Sequence, residues 1–491
     1  MPWSRPHHSI VRKVGPVLVA AVTLAALFSA TIATGPGAGA ATGTAPEVTF
    51  HTAATLTGPV TTGHIVEPLT ARPLDLAANG YVEQEYFASG TATAFKATAS
   101  PSDGKWSITP TTSAPYKTRI VVRRPANPAK FNGTVVVEWL NVSVAESPPE
   151  WEFLNPMLMR DGYAWVGVSA QALGVQGGNP ILGSPGSLAG SGGLVATEPA
   201  RYGTLHHPGD QYALDIFAQI GQALRVPHPA ALGGLHPKDI VAAGESQSAF
   251  YLTTFVDAVQ PRTETFDGIF IHSRAGSGVG LSASTPQNLR IRTDLKVPVF
   301  MFETQTDVTL LGYAAAQQPN TDRIRTWEVA GTSHADAYLL GAGASVLGCT
   351  TPVNDGPQHT VVQAAFTAFH RWVVHGTPPP SPPPFRLSST HPATLALDSH
   401  GNVIGGVRTP AVDVPVSTLS GAPAKGANEI CSFFGSTTPF SSSELVRLYG
   451  TKSHYLSLYK ASLDKAIAEG FILSADRAAL VAQAEQVQLP A

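Results

Sequence analysis

The sequence predicts an α/β fold, a mostly parallel, doubly wound sheet with an inserted loop region and a C-terminal extension. Three observations carry this. From about residue 133 onward, short apolar runs alternate with amphipathic helical patterns, the order that builds parallel βαβ units. The runs are nearly continuous in apolar residues, as in Thr134-Val135-Val136-Val137-Glu138-Trp139, which suits strands covered on both faces. One run, Ile240-Val241-Ala242-Ala243, passes into a tight turn, Gly244-Glu245-Ser246-Gln247-Ser248, and then into a helical pattern.

The elements follow in order. Residues 41–78 are rich in Thr, Ala and Pro and show no period, so they read as a wrapping lead-in. Residues 80–87 alternate as a half-buried strand, and 116–122 form a second strand ended by Arg123-Arg124-Pro125. Residues 133–140 read as a central strand and 163–169 as its neighbour. Between them 151–161 is a helix with Trp151, Leu154 and Leu158 on one face, closed by Gly162. A Gly/Ser/Pro-rich stretch, about 173–210, interrupts the next strand-to-helix connection. It follows the carboxyl end of a strand, so it is expected to wall a site there. Helix 211–224 comes next, with Asp210 as its expected N-cap. After the run at 240–243 come a helix at 249–259, strands at 266–272, 297–303 and 326–329, and a helix at 358–375 stopped by Gly376 and prolines. The core is thus about 80–376. Residues 377–491 form an extension with a turn at Asp398-Ser399-His400-Gly401-Asn402 and helices at about 442–470 and 474–488.

The chain has 491 residues, a formal net charge of −3 and 13% charged residues, without basic patches or charge runs, so nucleic acid is not an expected partner. Its 46 glycines and 41 prolines are dispersed, which suits ordered loops in a globular chain. Arg5, Arg12 and Lys13 precede an apolar run at 17–33 and a small-x-small site, Ala38-Gly39-Ala40. This reads as a secretory signal, residues 1–40, cleaved near Ala40. A single domain, 41–491, would remain, extracellular or in the cell envelope and without a stable membrane anchor. The two cysteines, Cys349 and Cys431, would meet an oxidising compartment and are expected to pair.

A strand, a small-residue turn and a helix form the setting in which a serine is held up as a nucleophile, here Ser246. A serine alcohol needs a base, and the base needs an orienting acid, in the chain order Ser, acid, His. Asp307 lies just past the strand at 297–303, and Glu303 at its end is the competing acid. His334 follows the 326–329 strand through Gly331 and small polar residues, a context that separates it from the other histidines among the 16. Asp336 reads as a helix-start residue, with a supporting place behind the site as the alternative. The backbone N–H of Gln247 would be one oxyanion donor, and Asn141 or Val142, after the 133–140 strand, the other. Asn141-Val142-Ser143 and Asn132-Gly133-Thr134 match glycosylation sequons by chance. His206, His207 and Asp210 have no second ligand pair at metal-binding spacing, so no metal and no cofactor are expected. Ser273 and Arg274 would line the pocket, or Arg274 would serve as an anchor.

With these residues assembled, the chain resembles the α/β-hydrolase superfamily. It is similar to secreted bacterial "alpha/beta hydrolase domain" proteins whose elbow reads Gly-x-Ser-Gln-Ser. The stretches that carry the likeness span about residues 80–475. They are Phe131-Asn132-Gly133-Thr134-Val135-Val136-Val137-Glu138-Trp139-Leu140-Asn141-Val142-Ser143, Gly162-Tyr163-Ala164-Trp165-Val166-Gly167-Val168-Ser169-Ala170-Gln171, Arg201-Tyr202-Gly203, Gly244-Glu245-Ser246-Gln247-Ser248 and Gly405-Gly406-Val407-Arg408-Thr409-Pro410. Where many relatives carry Gly after the elbow, this chain has Ala249. The resemblance implies an α/β-hydrolase fold and a serine-hydrolase triad of Ser246, Asp307 and His334.

The expectation is a secreted serine hydrolase that cleaves small-molecule carboxylic esters through an acyl-enzyme. Amide or peptide cleavage on the same residues, and a non-catalytic secreted binding protein of the same fold, stay open as alternatives. The sequence carries no signal of oligomeric state.

Overall fold

In the computed structural model, which describes residues 52–179, 192–226, 229–282, 284–341, 343–346, 348–349, 351–424 and 426–490, the apolar runs assemble into one nine-stranded sheet. The expected signal segment and residues 180–191 of the insertion lie outside the described residues. The strands are β1 (Thr55–Thr57), β2 (Tyr81–Ala99), β3 (Ser107–Pro125), β4 (Thr134–Trp139), β5 (Ala164–Val168), β6 (Asp239–Glu245), β7 (Gly268–His272), β8 (Val299–Glu303) and β9 (Ile324–Glu328). Their order is β1-β2-β3-β5-β4-β6-β7-β8-β9. Strands β5, β4, β6, β7, β8 and β9 pair in parallel, and β1, β2 and β3 join antiparallel at the β5 edge.

Helices cover both faces, which is why the central strands are mostly apolar and their polar residues gather near the strand ends. The main ones are α1 (Pro149–Arg160), α2 (Ala213–Arg225), α3 (Gln247–Thr254), α4 (Gln305–Thr309) and α5 (Gln358–His375). Val135 and Val137 face one core with Phe217 of α2, whereas Val136 faces the other with Phe153 of α1 and Phe366 of α5. Each valine so buried contributes roughly 1.5–3 kcal/mol. The chain steps from β5 past β4 to reach β6, so the winding reverses beside β4 and β6. Their carboxyl ends flank the crevice where sites of such folds form.

Several elements differ from expectation. The β2–β3 hairpin runs 19 residues on each side, far beyond 80–87 and 116–122. Small residues such as Ala92, Ala94 and Ala97 blur the alternation, yet they are buried beside Trp106 and Ile108 and extend the pairing, with register shifts at Thr93/Phe95 and Ala97/Ala99. The helix after Ser246 begins at Gln247 and passes into a π-turn at Phe255–Val259. The C-terminal helix breaks at Gly450, φ 70°, into Ser442–Tyr449 and Lys452–Ala468. Asp210 does not cap α2, which starts at Ala213 after a 3-10 turn. Its carboxylate instead accepts from the Ala172 N–H (2.7 Å), Gln171 Nε2 (3.2 Å) and the Tyr251 hydroxyl (3.1 Å).

Cys349 and Cys431, 82 residues apart, form a disulfide. A loop of that length limits the unfolded chain by on the order of 4 kcal/mol. Among the described residues no helix is long and apolar enough to cross a membrane.

Candidate active site

Ser246 sits between β6 and α3 at φ 60° and ψ −118°, a backbone conformation that non-glycine residues rarely adopt. Its N–H donates to the His272 carbonyl at 3.0 Å, and its carbonyl accepts from the Phe250 N–H at 3.0 Å. Strand and helix approach closely here. A Cβ on Gly244 would meet Ser248 Cβ and Leu252 Cδ1, each at 3.0 Å. The bare Gly244 thus makes room for Ser248, where the elbow pattern has a second glycine.

Ser246 Oγ lies 2.7 Å from His334 Nε2, and His334 Nδ1 lies 2.7 Å from Asp307 Oδ1. Gly331, φ 79°, carries the chain from β9 into the His334 loop, and the His334 N–H donates to Thr306 Oγ1 at 3.2 Å. Asp307, just past β8 as its place in the sequence implies, occupies the third position of α4 rather than a loop. There its Oδ2 accepts from the Thr304 N–H and hydroxyl, both at 2.7 Å, while Thr304 caps the helix in return. A Thr–x–x–Asp capping box explains the short helix. Burial pushes the Asp307 carboxyl up, but the His334 ring and the bonds from His334 and Thr304 outweigh it and hold Asp307 below the usual carboxylate value.

Glu303, the competing acid, ends β8 fully buried, and His334 pairs with Asp307 instead. Burial, then the charge of Asp307, pushes the Glu303 carboxyl well above its usual value, which favours its neutral form. Glu245 is a neighbour that the sequence did not single out, although it stands inside the elbow. Its Oε1 lies 3.7 Å from His334 Nε2, and burial, then Glu150 and Asp307, raises it well above the usual carboxyl range. That shift favours the neutral form of Glu245 and leaves Asp307, shifted the other way, as the carboxylate facing the imidazole.

The three backbone donors proposed for an oxyanion differ in state. The Asn141 N–H is taken by the Ser147 carbonyl at 2.9 Å. The Asn141 side chain is buried and donates through Nδ2 to the Glu245 carbonyl at 3.1 Å, so it ties this loop to the elbow and is no glycosylation acceptor. The Val142 N–H donates to Gln247 Oε1 at 3.1 Å. The Gln247 N–H opens α3, where a first-turn donor has no partner within the helix.

Other candidates settle into structural places. Arg274 is fully buried and donates to the carbonyls of Ala275 (3.1 Å) and Leu289, so it anchors a loop. Ser273 beside it adopts φ 57° and is likewise buried. His207 receives the Gly209 N–H on Nδ1 (3.2 Å) and donates from Nε2 to the Ala170 carbonyl (2.9 Å). Burial lowers its pKa, which keeps that ring neutral. Asp336 caps the short helix Ala337–Leu340 by accepting from the Leu339 N–H at 2.9 Å. At the far end of the insertion, Arg201 and Tyr202 both reach Glu85 of β2. Among the described residues no group of three or more His, Cys, Asp or Glu side chains is set to hold a metal ion. Ser246, His334 and Asp307 set a hydroxyl, an imidazole and a carboxylate in series, an arrangement able to pass the Ser246 proton to His334 while Asp307 holds the ring.

A family model described as "Alpha/beta hydrolase domain" matches residues 56–482. Among solved structures, a CE15 glucuronoyl esterase from Teredinibacter turnerae aligns at 13% identity and a TM-score of 0.23, over 46% of this chain and 49% of that one. A putative dienelactone hydrolase from Klebsiella pneumoniae aligns at 12% identity and 0.25, over 49% and 85%. A glucuronoyl esterase from Solibacter usitatus aligns at 10% identity and 0.28, over 63% and 86%. The chain thus spans about half the length of the first of these and most of the other two. No curated protein sequence matches.

Proposed function

The chain belongs to the alpha/beta hydrolase domain family, and from that premise we propose that it is a secreted serine hydrolase that cleaves small carboxylic esters. The observation that carries this reading is the continuous series Ser246 Oγ, His334, Asp307, each link at 2.7 Å, hung from the ends of β6, β9 and β8.

Ser246 attacks the ester carbonyl while His334 Nε2 takes its proton. The carbonyl oxygen becomes an oxyanion, held by the Gln247 N–H and, once Gln247 Oε1 swings away, by the Val142 N–H. The positive end of α3 points the same way. His334 then returns the proton to the leaving alcohol, and water activated by the same ring releases the acid from Ser246. Asp307, held anionic by its environment, fixes the tautomer with the proton on Nδ1. The insertion, latched to α3 through Asp210 and Tyr251, would wall the substrate. The Cys349–Cys431 bond supports an oxidising compartment, in accord with the signal read at 1–40.

The test is labelling of the protein by a fluorophosphonate probe together with turnover of a p-nitrophenyl ester panel. Wild type is expected to be labelled and active, and Ser246→Ala to be neither. Equal behaviour of the two proteins would sink the assignment.

A further inference from the structure

Residues beyond 377 carry no motif of their own, yet one part of them touches the site. Strands β10 (Leu387–Thr390) and β11 (Ala393–Leu395) lie apart as a small pair, but β12 (Ser417–Ser420) and β13 (Ser436–Pro439) form a hairpin whose connection packs on the loops of His334 and Asp307. The Phe433 ring lies against the His334 imidazole, with centroids 5.3 Å apart and planes tilted by 52°. Both neighbours of His334 are tied to the same stretch. The Ala335 N–H donates to the Phe433 carbonyl at 3.3 Å, and the Ser333 hydroxyl, whose nearer acceptor is the Ala335 carbonyl at 2.8 Å, lies 3.2 Å from the Phe434 carbonyl. On the acid side, the Thr306 hydroxyl donates to the Gly421 carbonyl at 2.7 Å while accepting the His334 N–H.

Two glycines make this approach possible. A Cβ on Gly421 would meet Gln305 Cβ at 2.6 Å, the Thr332 carbonyl at 2.7 Å and the Thr306 nitrogen at 2.8 Å. A Cβ on Gly435, φ 56°, would meet the Ser420 carbonyl and, at 2.9 Å, Ser333 Cβ. Backbone therefore packs on backbone at both ends of the connection. Cys431 precedes Phe433 by two positions, and its disulfide to Cys349 fastens the stretch to the segment that follows the His334 loop. Cys431, Phe433, Phe434 and Ala335 share one small buried cluster.

We infer that the 417–439 hairpin is a positioning clasp for His334, with Phe433 as its contact on the ring and the Cys349–Cys431 bond as its lock. This rests on the reading of Ser246 and His334 as a hydrolytic pair. The bond to Asp307 fixes one edge of the imidazole but leaves the ring free to rock about that edge. An aromatic side chain packed against the ring restricts the rocking and keeps Nε2 on the Ser246 hydroxyl. Misplacement of a catalytic group by about 1 Å costs about a hundredfold in rate.

The experiment compares wild type with Phe433→Ala, Phe433→Leu and the double variant Cys349→Ser/Cys431→Ser, on p-nitrophenyl ester turnover and on the rate of fluorophosphonate labelling. Folded wild type is also assayed after thiol reduction and after reoxidation, which gives the same comparison if the double variant does not fold. Phe433→Ala is expected to lower kcat and the labelling rate about ten- to a hundredfold, with KM within about threefold. Phe433→Leu should recover most of the loss, and reduction should lower kcat reversibly. Unchanged kcat in Phe433→Ala and in reduced wild type, with wild type itself labelled and active, overturns the clasp and leaves the serine reading intact. A rise in KM alone also overturns it, because that marks substrate contact rather than positioning. A wild type that is neither labelled nor active overturns the reading beneath it.

Discussion

Asp307 meets His334 through Oδ1 at 2.7 Å and spends Oδ2 on Thr304, so each carboxylate oxygen has its own task. Glu303, at the end of the preceding strand, is pushed toward its neutral form by burial, and the ring pairs with Asp307 instead. The two acids should therefore respond oppositely to amide replacement. Asp307→Asn offers an N–H where His334 needs an acceptor, and kcat is expected to fall about 10³- to 10⁴-fold. Glu303→Gln swaps one neutral group for another of the same shape, and a change of less than about tenfold is expected. Steady-state ester turnover by both variants checks this, and a loss in Glu303→Gln as deep as in Asp307→Asn would contradict it.

Gln247 Oε1 holds the Val142 N–H, a donor that the proposed mechanism needs for the oxyanion. Gln247→Glu keeps the acceptor, strengthens its bond to the N–H and sets a negative charge beside the developing one. Gln247→Ala removes the acceptor altogether. Loss of one oxyanion donor costs about 10²- to 10³-fold, so Glu is expected to lower kcat by that order and Ala by less than about tenfold. If the side chain served only to anchor the 141–147 loop, the ranking would reverse, because Glu preserves the anchor. The kcat values of the two variants decide between these outcomes.

What was legible in the sequence were features that local chemistry determines. The runs at 133–140, 163–169 and 240–243 read as strands because burial on both faces forces continuous apolar residues, and β4, β5 and β6 lie within one or two residues of those bounds. Ser246, Asp307 and His334 could be picked out because each follows a strand at the carboxyl edge, and the structure brings them into hydrogen-bond reach. Pairings between distant segments left no local trace. Nothing near Phe433 signals that it packs on a histidine about a hundred residues earlier, and nothing near Arg201 signals Glu85. The far half of the β2–β3 hairpin was hidden because alanines pack there without an alternating contrast. Asp210 misled for a related reason. A carboxylate before a helix looks like a cap, but donors at the end of β5 and on α3 claimed it first.

Asp336 makes stability depend on pH. It is fully buried, and burial, opposed by the Leu339 N–H, pushes its carboxyl up to about 7. In the unfolded chain the group returns to about 3.9. The unfolded state therefore releases this proton first, and the contribution of Asp336 is intact below about pH 4 and declines as pH rises toward 7, by at most about 1.4 kcal/mol per unit. Asp336→Asn retains a capping oxygen without the titration. Urea unfolding should find the variant within about 1 kcal/mol of wild type at pH 4 and more stable by on the order of 4 kcal/mol at pH 8. A variant less stable than wild type at pH 8 would show that the ionised carboxylate is needed there.

Glu85 ties β2 to β3 and to the end of the insertion. Its carboxylate, buried in β2, accepts from Arg119 of β3 at 3.0 Å, from Arg201 at 2.5 Å and from the Tyr202 hydroxyl at 2.8 Å. The same guanidinium groups reach the lead-in: Arg201 donates to the carbonyls of Val60 (2.9 Å) and Thr62 (2.7 Å), and Arg119 to that of Val66 (2.6 Å). Arg119 also pairs with Glu146, in the loop that carries Val142. Glu85→Ala would leave Arg119 with Glu146 alone and Arg201 with no paired carboxylate, and breaking a buried pair on one side costs about 3–5 kcal/mol. Denaturant unfolding of Glu85→Ala is expected to show a loss of that size, and Glu85→Gln a smaller one because the amide oxygen still accepts. A loss below about 1 kcal/mol in Glu85→Ala would mean that Glu146 and the lead-in carbonyls alone satisfy both arginines, and that Glu85 does not hold the insertion to the sheet.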